Sequence, residues 1–429
     1  MKKTSIFFLF IMVLFMIFSC DSFNNENDGS ISIVNVSANA LLAPSYGEID
    51  PAIKTAAVGA NDFAFRLGAE LIKDNSGKNF VFSPYSVWLP LAALVNAADA
   101  QHRAALFTAL GARGIVEADI NKAASRMLYD LTNARDEKEK DYYNPLKIVN
   151  AIFVDKKVTL RKDFAQTFMD FYRGSSINVD FSTRDAVDAV NRWASKNTEG
   201  LITDLVQQFE PLTLSAIANA IYFSDRWSWE FEPTKTKEDV FHAPSGDSKA
   251  YYMLHEGPNQ TYYEDNKVQA IPLAFKHSAG MYIILPKTGG AEALLSSMTS
   301  EYFAEIQSNT FQAEGKLLLP RFSIENDTMD LKESLEALGV PLFEEDSITG
   351  LIQEYPLYLT AAVQKALIRV DEKGTTAAAV TVMAASNTSM PPPNVPFEMI
   401  CDRPFMFILY DYTYEGGAQI LFTGIVNQP

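Results

Sequence analysis

The sequence predicts an α+β fold built as one large domain, and three observations lead there. Apolar residues recur at helical spacing through much of the first half, whereas strand-like apolar runs dominate the second. No internal repeat and no linker breaks residues 51–429. Hydrophobic residues form 48% of the 429-residue chain, with 29 Phe and 18 Tyr, which is ample for a large core. The last two points outweigh the usual expectation of two or more domains at this length.

The elements follow in order. Asn61 to Lys73 carries Phe63, Phe65, Leu67, Leu71 and Ile72, the pattern of an amphipathic helix, and Asp74-Asn75-Ser76-Gly77 ends it. Phe80-Val81-Phe82 reads as a short buried strand, and Ser83-Pro84 opens a long apolar helix. A strand is expected over Ile148–Val154 and a helix over Asp185–Lys196. Ala216–Phe223 and Met281–Leu285 are apolar nearly throughout, as central strands are. A helix over Leu331–Leu338 stops at Gly339. Ala362–Val370 reads as one more strand, and Asp371-Glu372-Lys373-Gly374 as a turn.

The first fifty residues have a different character. Lys2 and Lys3 precede an apolar run from Ile6 to Phe18, too short for a membrane span and of the right length for an export signal. The run ends in Ile17-Phe18-Ser19-Cys20, which resembles a bacterial lipobox. That resemblance implies a signal peptide over 1–19 and a diacylglycerol on Cys20; several acyl chains at about 0.8 kcal/mol per buried methylene anchor stably. An ordinary signal peptide with an incidental cysteine is the alternative. Residues 20–50, beginning with the polar stretch Asp21–Ser30, are expected to form a flexible tether, and the folded body to start near Pro51.

Charge and cysteine count narrow the function. The formal net charge is -17, and Lys2 and Lys3 are the only charges in residues 1–19, so a chain starting at Cys20 would carry about -19. Such a chain gains nothing from the counterion release that drives binding to nucleic acid, and a broad polyanion site is disfavoured. Cys20 and Cys401 are the only cysteines, so the body has no internal disulfide and is held by packing. Cys401 sits in an apolar run and reads as a small core residue. His102, His242, His255 and His277 fall in no metal-binding spacing. No Gly-x-Ser-x-Gly elbow and no cofactor motif is present, so an enzyme is not expected, nor any cofactor or metal.

A set of short blocks then carries a family resemblance. They are Asn79-Phe80-Val81-Phe82-Ser83-Pro84-Tyr85-Ser86, Asn150-Ala151-Ile152-Phe153-Val154, and the spaced residues Asn191, Trp193, Thr198, Gly200 and Ile202. Asn219-Ala220-Ile221-Tyr222-Phe223 follows, then Trp227, Phe231, Thr236 and Phe241-His242. Ile283-Ile284-Leu285-Pro286, Leu319-Pro320-Arg321-Phe322, Asp402-Arg403-Pro404-Phe405 and Phe422–Asn427 complete the series. In order and spacing these blocks resemble the serpins, over nearly the whole body; Asn96-Ala97-Ala98-Asp99 departs from the family's Gly-Ala stretch. The resemblance implies three β-sheets, eight to nine helices and an exposed reactive-centre loop at about 372–396. It also implies a mechanism: a protease cuts the loop, the freed segment enters the large sheet as an extra strand, and the covalently attached protease is carried away and distorted. The partners implied are target proteases, with a monomeric inhibitor.

The loop supports an inhibitor. Glu372, Gly374, Thr375, Ala377, Ala378 and Ala379 resemble the hinge of inhibitory serpins. Alternation along a strand puts Thr375, Ala377, Ala379 and Thr381 on one face, and all are small. Neither Pro nor charge falls between Gly374 and Met390. Family spacing puts the scissile bond at Thr388-Ser389; a longer segment up to Phe405 leaves Asn387 and Met390 open, and Val382 and Met383 are secondary sites. All are uncharged, which points to elastase-, subtilisin- or chymotrypsin-like enzymes, with papain-like ones a further class, and away from trypsin-like ones. A non-inhibitory binding or chaperone-like serpin is the alternative.

Ser83, Ser86 and Asn219 match three members of the family's shutter, the polar cluster under the large sheet. The fourth, usually His, is Gln364 here, in Gln364-Lys365-Ala366. Gln exchanges the same hydrogen bonds as neutral imidazole but does not titrate, so sheet opening is expected to be less pH-sensitive; a swap without consequence is equally consistent. Trp227 matches the tryptophan of the breach, where the hinge enters, and would serve equally as plain core.

Overall fold

A computed structural model describes residues 32–33, 50–132, 146–210, 212–277, 279–375, 396–413 and 417–429. Among the described residues nine α-helices surround the sheets, six of them before residue 200, so the predicted α+β class holds.

The first helix is longer than expected, Pro51–Leu71. Asp50 caps it by accepting from the Ala52 N–H at 2.9 Å, and Pro51 fills the first position, where no N–H is needed. Its first ten residues lack a strong period because the buried ones include Ala56, Ala57, Gly59 and Ala60, small side chains that let the helix sit deep. Ser83 caps Pro84–Leu94, as the Ser-Pro pair suggested. Arg184–Asn197 and Lys332–Ala337 match the two later helices expected, with Gly339 in the left-handed conformation after the second.

Asn96–Asp99, where the family pattern breaks, has its own local chemistry. Asn96 and Asn121 exchange amide hydrogen bonds of 2.9 and 2.8 Å, and Asp99 caps Ala100–Ala109.

The strands assemble into several sheets, as the resemblance to serpins implies. Nine strands form one continuous sheet, because the 19-residue strand Gly246–Glu264 serves two halves of it. The kink at Gly257, which has positive φ, coincides with a register irregularity against Phe311–Pro320 and turns the strand from one half into the other. The remaining large sheet is divided. Its four-stranded part holds, in order, Ser32–Ile33, Gly174–Val179, Leu146–Asp155 and Ser215–Phe223, and Phe322–Glu325 pairs with Leu367–Val370 apart from them. Ala362–Val370, expected as one strand, is two pieces, Val363–Gln364 and Leu367–Val370.

Within the stretch 20–50 the described residues before Asp50 are Ser32 and Ile33. Ser32–Ile33 forms a two-residue strand on Gly174–Val179, with Ser32 opposite Asn178, covering an edge that would otherwise lie open. Cys20 lies outside the described residues. Cys401 is fully buried, and burial pushes its thiol well up, the environment of a core residue rather than a nucleophile.

Candidate functional site

Two strand edges face one another across a cleft. Ser215–Phe223 pairs with Leu146–Asp155 on one side, and Leu367–Val370 with Phe322–Glu325; among the described residues neither has a strand on its other edge. Between them lies a cavity of about 340 Å³ whose walls include Ser86, Leu91, Ile202, Asn219, Ile221 and Gln364. Each free edge presents a row of N–H and C=O groups that a further strand can satisfy.

A polar cluster forms the floor. The Gln364 side chain accepts from the Ser83 N–H at 3.0 Å and donates to the Ser83 carbonyl at 2.8 Å and the Ser86 hydroxyl at 2.7 Å. Ser86 Oγ donates to the Ser83 carbonyl at 3.0 Å, and Ser83 Oγ to the Leu421 carbonyl at 2.7 Å. All three residues are buried. Asn219 is not bonded to this trio. Its amide donates to Asn150 Oδ1 at 2.8 Å, across the pair Asn150 opposite Asn219, while Asn150 donates to the Tyr172 carbonyl at 2.6 Å. Asn219 Oδ1 is buried and finds no donor among the described residues.

At the top of the cleft the turn Asp371–Gly374 is held from every side. The Asp371 N–H donates to the Gly374 carbonyl at 3.1 Å and the Lys373 N–H to the Asp371 carboxylate at 2.8 Å. Glu372 is 5% exposed and takes two 2.8 Å hydrogen bonds from Arg321 Nε, another from the Arg321 guanidinium and one of 2.5 Å from Thr236 Oγ1. Burial works to raise the Glu372 carboxyl, but Arg321 and Thr236 outweigh it and hold it below the usual range. Trp227 donates from its indole to the Asp371 carbonyl and from its backbone to the Lys373 carbonyl, both at 2.9 Å, and stacks on Phe275 with 4.2 Å between centroids. Gly374 and Thr375 pair with Arg226 and Asp225. Gly374 has φ +131°, and a Cβ there would lie 2.3 Å from the Asp225 carbonyl oxygen, so only glycine fits.

This geometry, a strand-sized cleft with a short hairpin already begun at its upper end, can be set beside known proteins. The family described as Serpin (serine protease inhibitor) matches residues 58–429. The chain belongs to the serpin family. An uncharacterized serpin-like protein of Thermococcus kodakarensis is 29% identical over 94% of this chain and 93% of its own length. Alpha-1-antitrypsin of Sus scrofa is 28% identical over 86% of each chain. The native-state structure of the thermophilic serpin tengpin superposes with a TM-score of 0.77 at 25% identity, covering 93% of this chain and all of that one. Thyroxine-binding globulin in complex with thyroxine superposes at 0.72 and 25% identity, over 87% of this chain and 99% of its own.

Of the residues expected to form the shutter, Ser83, Ser86 and Gln364 come together while Asn219 turns to Asn150. Of the residues expected at the hinge and breach, Glu372, Gly374, Thr375 and Trp227 come together at the top of the cleft. Ala377, Ala378, Ala379, Thr388 and Ser389 lie outside the described residues. Sequence reasoning picked out Thr236 and Arg321 as family positions without a task; their task is to hold Glu372. The pairing of Asn219 with Asn150 could have been anticipated only from the register of two strands distant in sequence.

Proposed function

We propose that this serpin is a suicide inhibitor of serine proteases with elastase-, subtilisin- or chymotrypsin-like specificity, cut near Thr388-Ser389 and completed by insertion of the loop into the cleft. One observation carries the reading: Gly374–Thr375 pairs at the upper end of the cleft in a register that, if continued, would fill it. Gly374 opposite Arg226 and Thr375 opposite Asp225, continued antiparallel, bring Thr381 opposite Asn219. The bridge between Asp371 and Gly374, continued along the other edge, brings the same Thr381 opposite Gln364. Both edges thus call for one register. Thr375 is buried, so Ala377, Ala379 and Thr381 would follow it onto the inner face, where their small side chains fit. Thr381 would arrive beside the donor-less Asn219 Oδ1 with a hydroxyl to offer.

The driving force follows from the edges. About ten new ladder hydrogen bonds at roughly 1 kcal/mol net each, with apolar burial in addition, amount to some 10 kcal/mol. For a body of this size that is a rise in Tm of about 10–15 °C. Nicking the loop of the folded protein with a protease and recording its melting curve tests the insertion; an unchanged Tm in nicked, intact-bodied protein speaks against it. The second reading, a non-inhibitory carrier, is supported by the likeness to thyroxine-binding globulin. It predicts cleavage without any covalent protease complex.

We also propose that the chain is an exported, monomeric lipoprotein held on the cell envelope through Cys20, where it would shield the cell from proteases. The lipobox-like Ile17-Phe18-Ser19-Cys20 supports this. Metabolic labelling with a radioactive fatty acid is expected to mark the wild-type chain and not Cys20→Ala; equal labelling of both would remove the anchor.

A further inference from the structure

Asp225 is 2% exposed, yet no Lys or Arg neutralises its carboxylate in the described structure. Its donors are the backbone N–H of Arg226 at 2.7 Å and two groups of His277, the backbone N–H at 3.1 Å and Nδ1 at 3.0 Å. An ionised carboxylate only accepts, so the His277 ring carries its proton on Nδ1. The same Asp225 supplies the edge on which the hinge begins. It pairs with Thr375, whose hydroxyl accepts from the Asp225 N–H at 3.2 Å. The two segments are stitched together nearby: Lys276 N–H donates to the Arg226 carbonyl at 2.8 Å, and Trp227 bridges Phe275.

We propose that His277 is a positioning residue for loop insertion: by holding the Asp225 carboxylate it fixes the edge that receives Gly374 and Thr375, more firmly when its imidazole is protonated. This rests on the insertion reading above. Among the described residues, the neighbouring charges have partners of their own. Arg226 and Lys276 flank the pair, but both reach to Glu230, at 3.4 and 3.5 Å. Glu372 is taken by Arg321, and the Asp371 carboxylate by the Lys373 N–H. Among the described carboxylates Asp225 meets the imidazole, with Oδ1 3.0 Å from Nδ1, and an imidazole titrates between pH 5 and 8. A neutral hydrogen bond becomes a charge-assisted one on protonation, a change of about fivefold in the strength of the tie.

The test is hydrogen exchange at the Asp225 amide in the native full chain from pH 5 to 8, corrected for the intrinsic pH dependence, with the share of serpin trapped as covalent complex measured alongside. Protection is expected to fall about fivefold as pH rises through the imidazole titration, and the trapped share to fall with it. Both His277→Gln and Asp225→Asn should flatten the exchange profile. A flat wild-type profile overturns the proposal without recourse to any variant. An undiminished step in His277→Gln overturns it too, as does a step in exchange with no change in trapping. Absence of covalent complex at every pH instead condemns the inhibitory reading, and the exchange profile remains readable on its own.

Discussion

The ion pair at the hinge turn is lopsided, and that asymmetry makes a sharp prediction. The Glu372 side chain is 7% exposed and the Arg321 side chain 44%. Arg321→Ala leaves a buried carboxylate with only Thr236 for company, so the variant is expected to lose about 3–4 kcal/mol, near the range for an orphaned buried charge. Glu372→Ala leaves a guanidinium that water can reach and removes charge-assisted hydrogen bonds, at about 1.5–3 kcal/mol. Arg321→Ala should therefore be the worse of the two by about 1 kcal/mol or more, and the double variant should resemble Glu372→Ala. Chemical denaturation of all four proteins, read as a double-mutant cycle, measures this. The sign of the pH dependence is also defined. The Glu372 carboxyl is depressed in the folded state, so its contribution is complete above the ordinary carboxylate range and is lost as pH falls through the lowered value. Equal costs for the two single variants, or a larger one for Glu372→Ala, would refute the assignment of burial to the carboxylate side.

Three further outcomes follow from the same geometry. Gln364→Ala strands the Ser83 N–H in a buried site and leaves the Ser83 carbonyl with Ser86 Oγ alone; it should cost about 1–3 kcal/mol in denaturant unfolding, whereas Gln364→His should retain most of that stability. Gly374→Ala meets both a forbidden φ and the Asp225 backbone; a loss of about 1–3 kcal/mol and faster proteolysis at 371–375 are expected. His102, hydrogen-bonded first of all to Asp99 and also to Glu344, is raised above the ordinary imidazole value, so its contribution is full at low pH and fades as pH climbs through the raised value; NMR titration of His102 should show that rise, and Asp99→Asn should abolish most of it.

Local chemistry was the most legible part of the sequence. Ser83-Pro84 announced a cap, Phe80–Phe82 and Arg184–Asn197 emerged within a residue or two, and Asp371–Gly374 is the turn its composition indicated. Long-range pairing was not legible. Ala362–Val370 has an unbroken strand pattern, but its pairing shifts by one residue between Gln364 opposite Met329 and Leu367 opposite Glu325, which no local signal marks. Ser215–Phe223 reads as a central strand because its composition suits one flanked on both edges; in the structure one of those edges borders the cleft. The start of the first helix was hidden by alanines, which carry little periodicity. The tie between Asp225 and His277 joins residues 52 apart, and no local signal marks it.

The measurement that bears most directly on the whole account is incubation of the folded domain with an elastase- or subtilisin-like protease, followed by denaturing electrophoresis and sequencing of the released C-terminal peptide. A stable band at the summed mass, with a new N-terminus near Ser389, is the predicted result. Cleavage in the loop by several protease classes with no such band at any ratio of protease to serpin would contradict it.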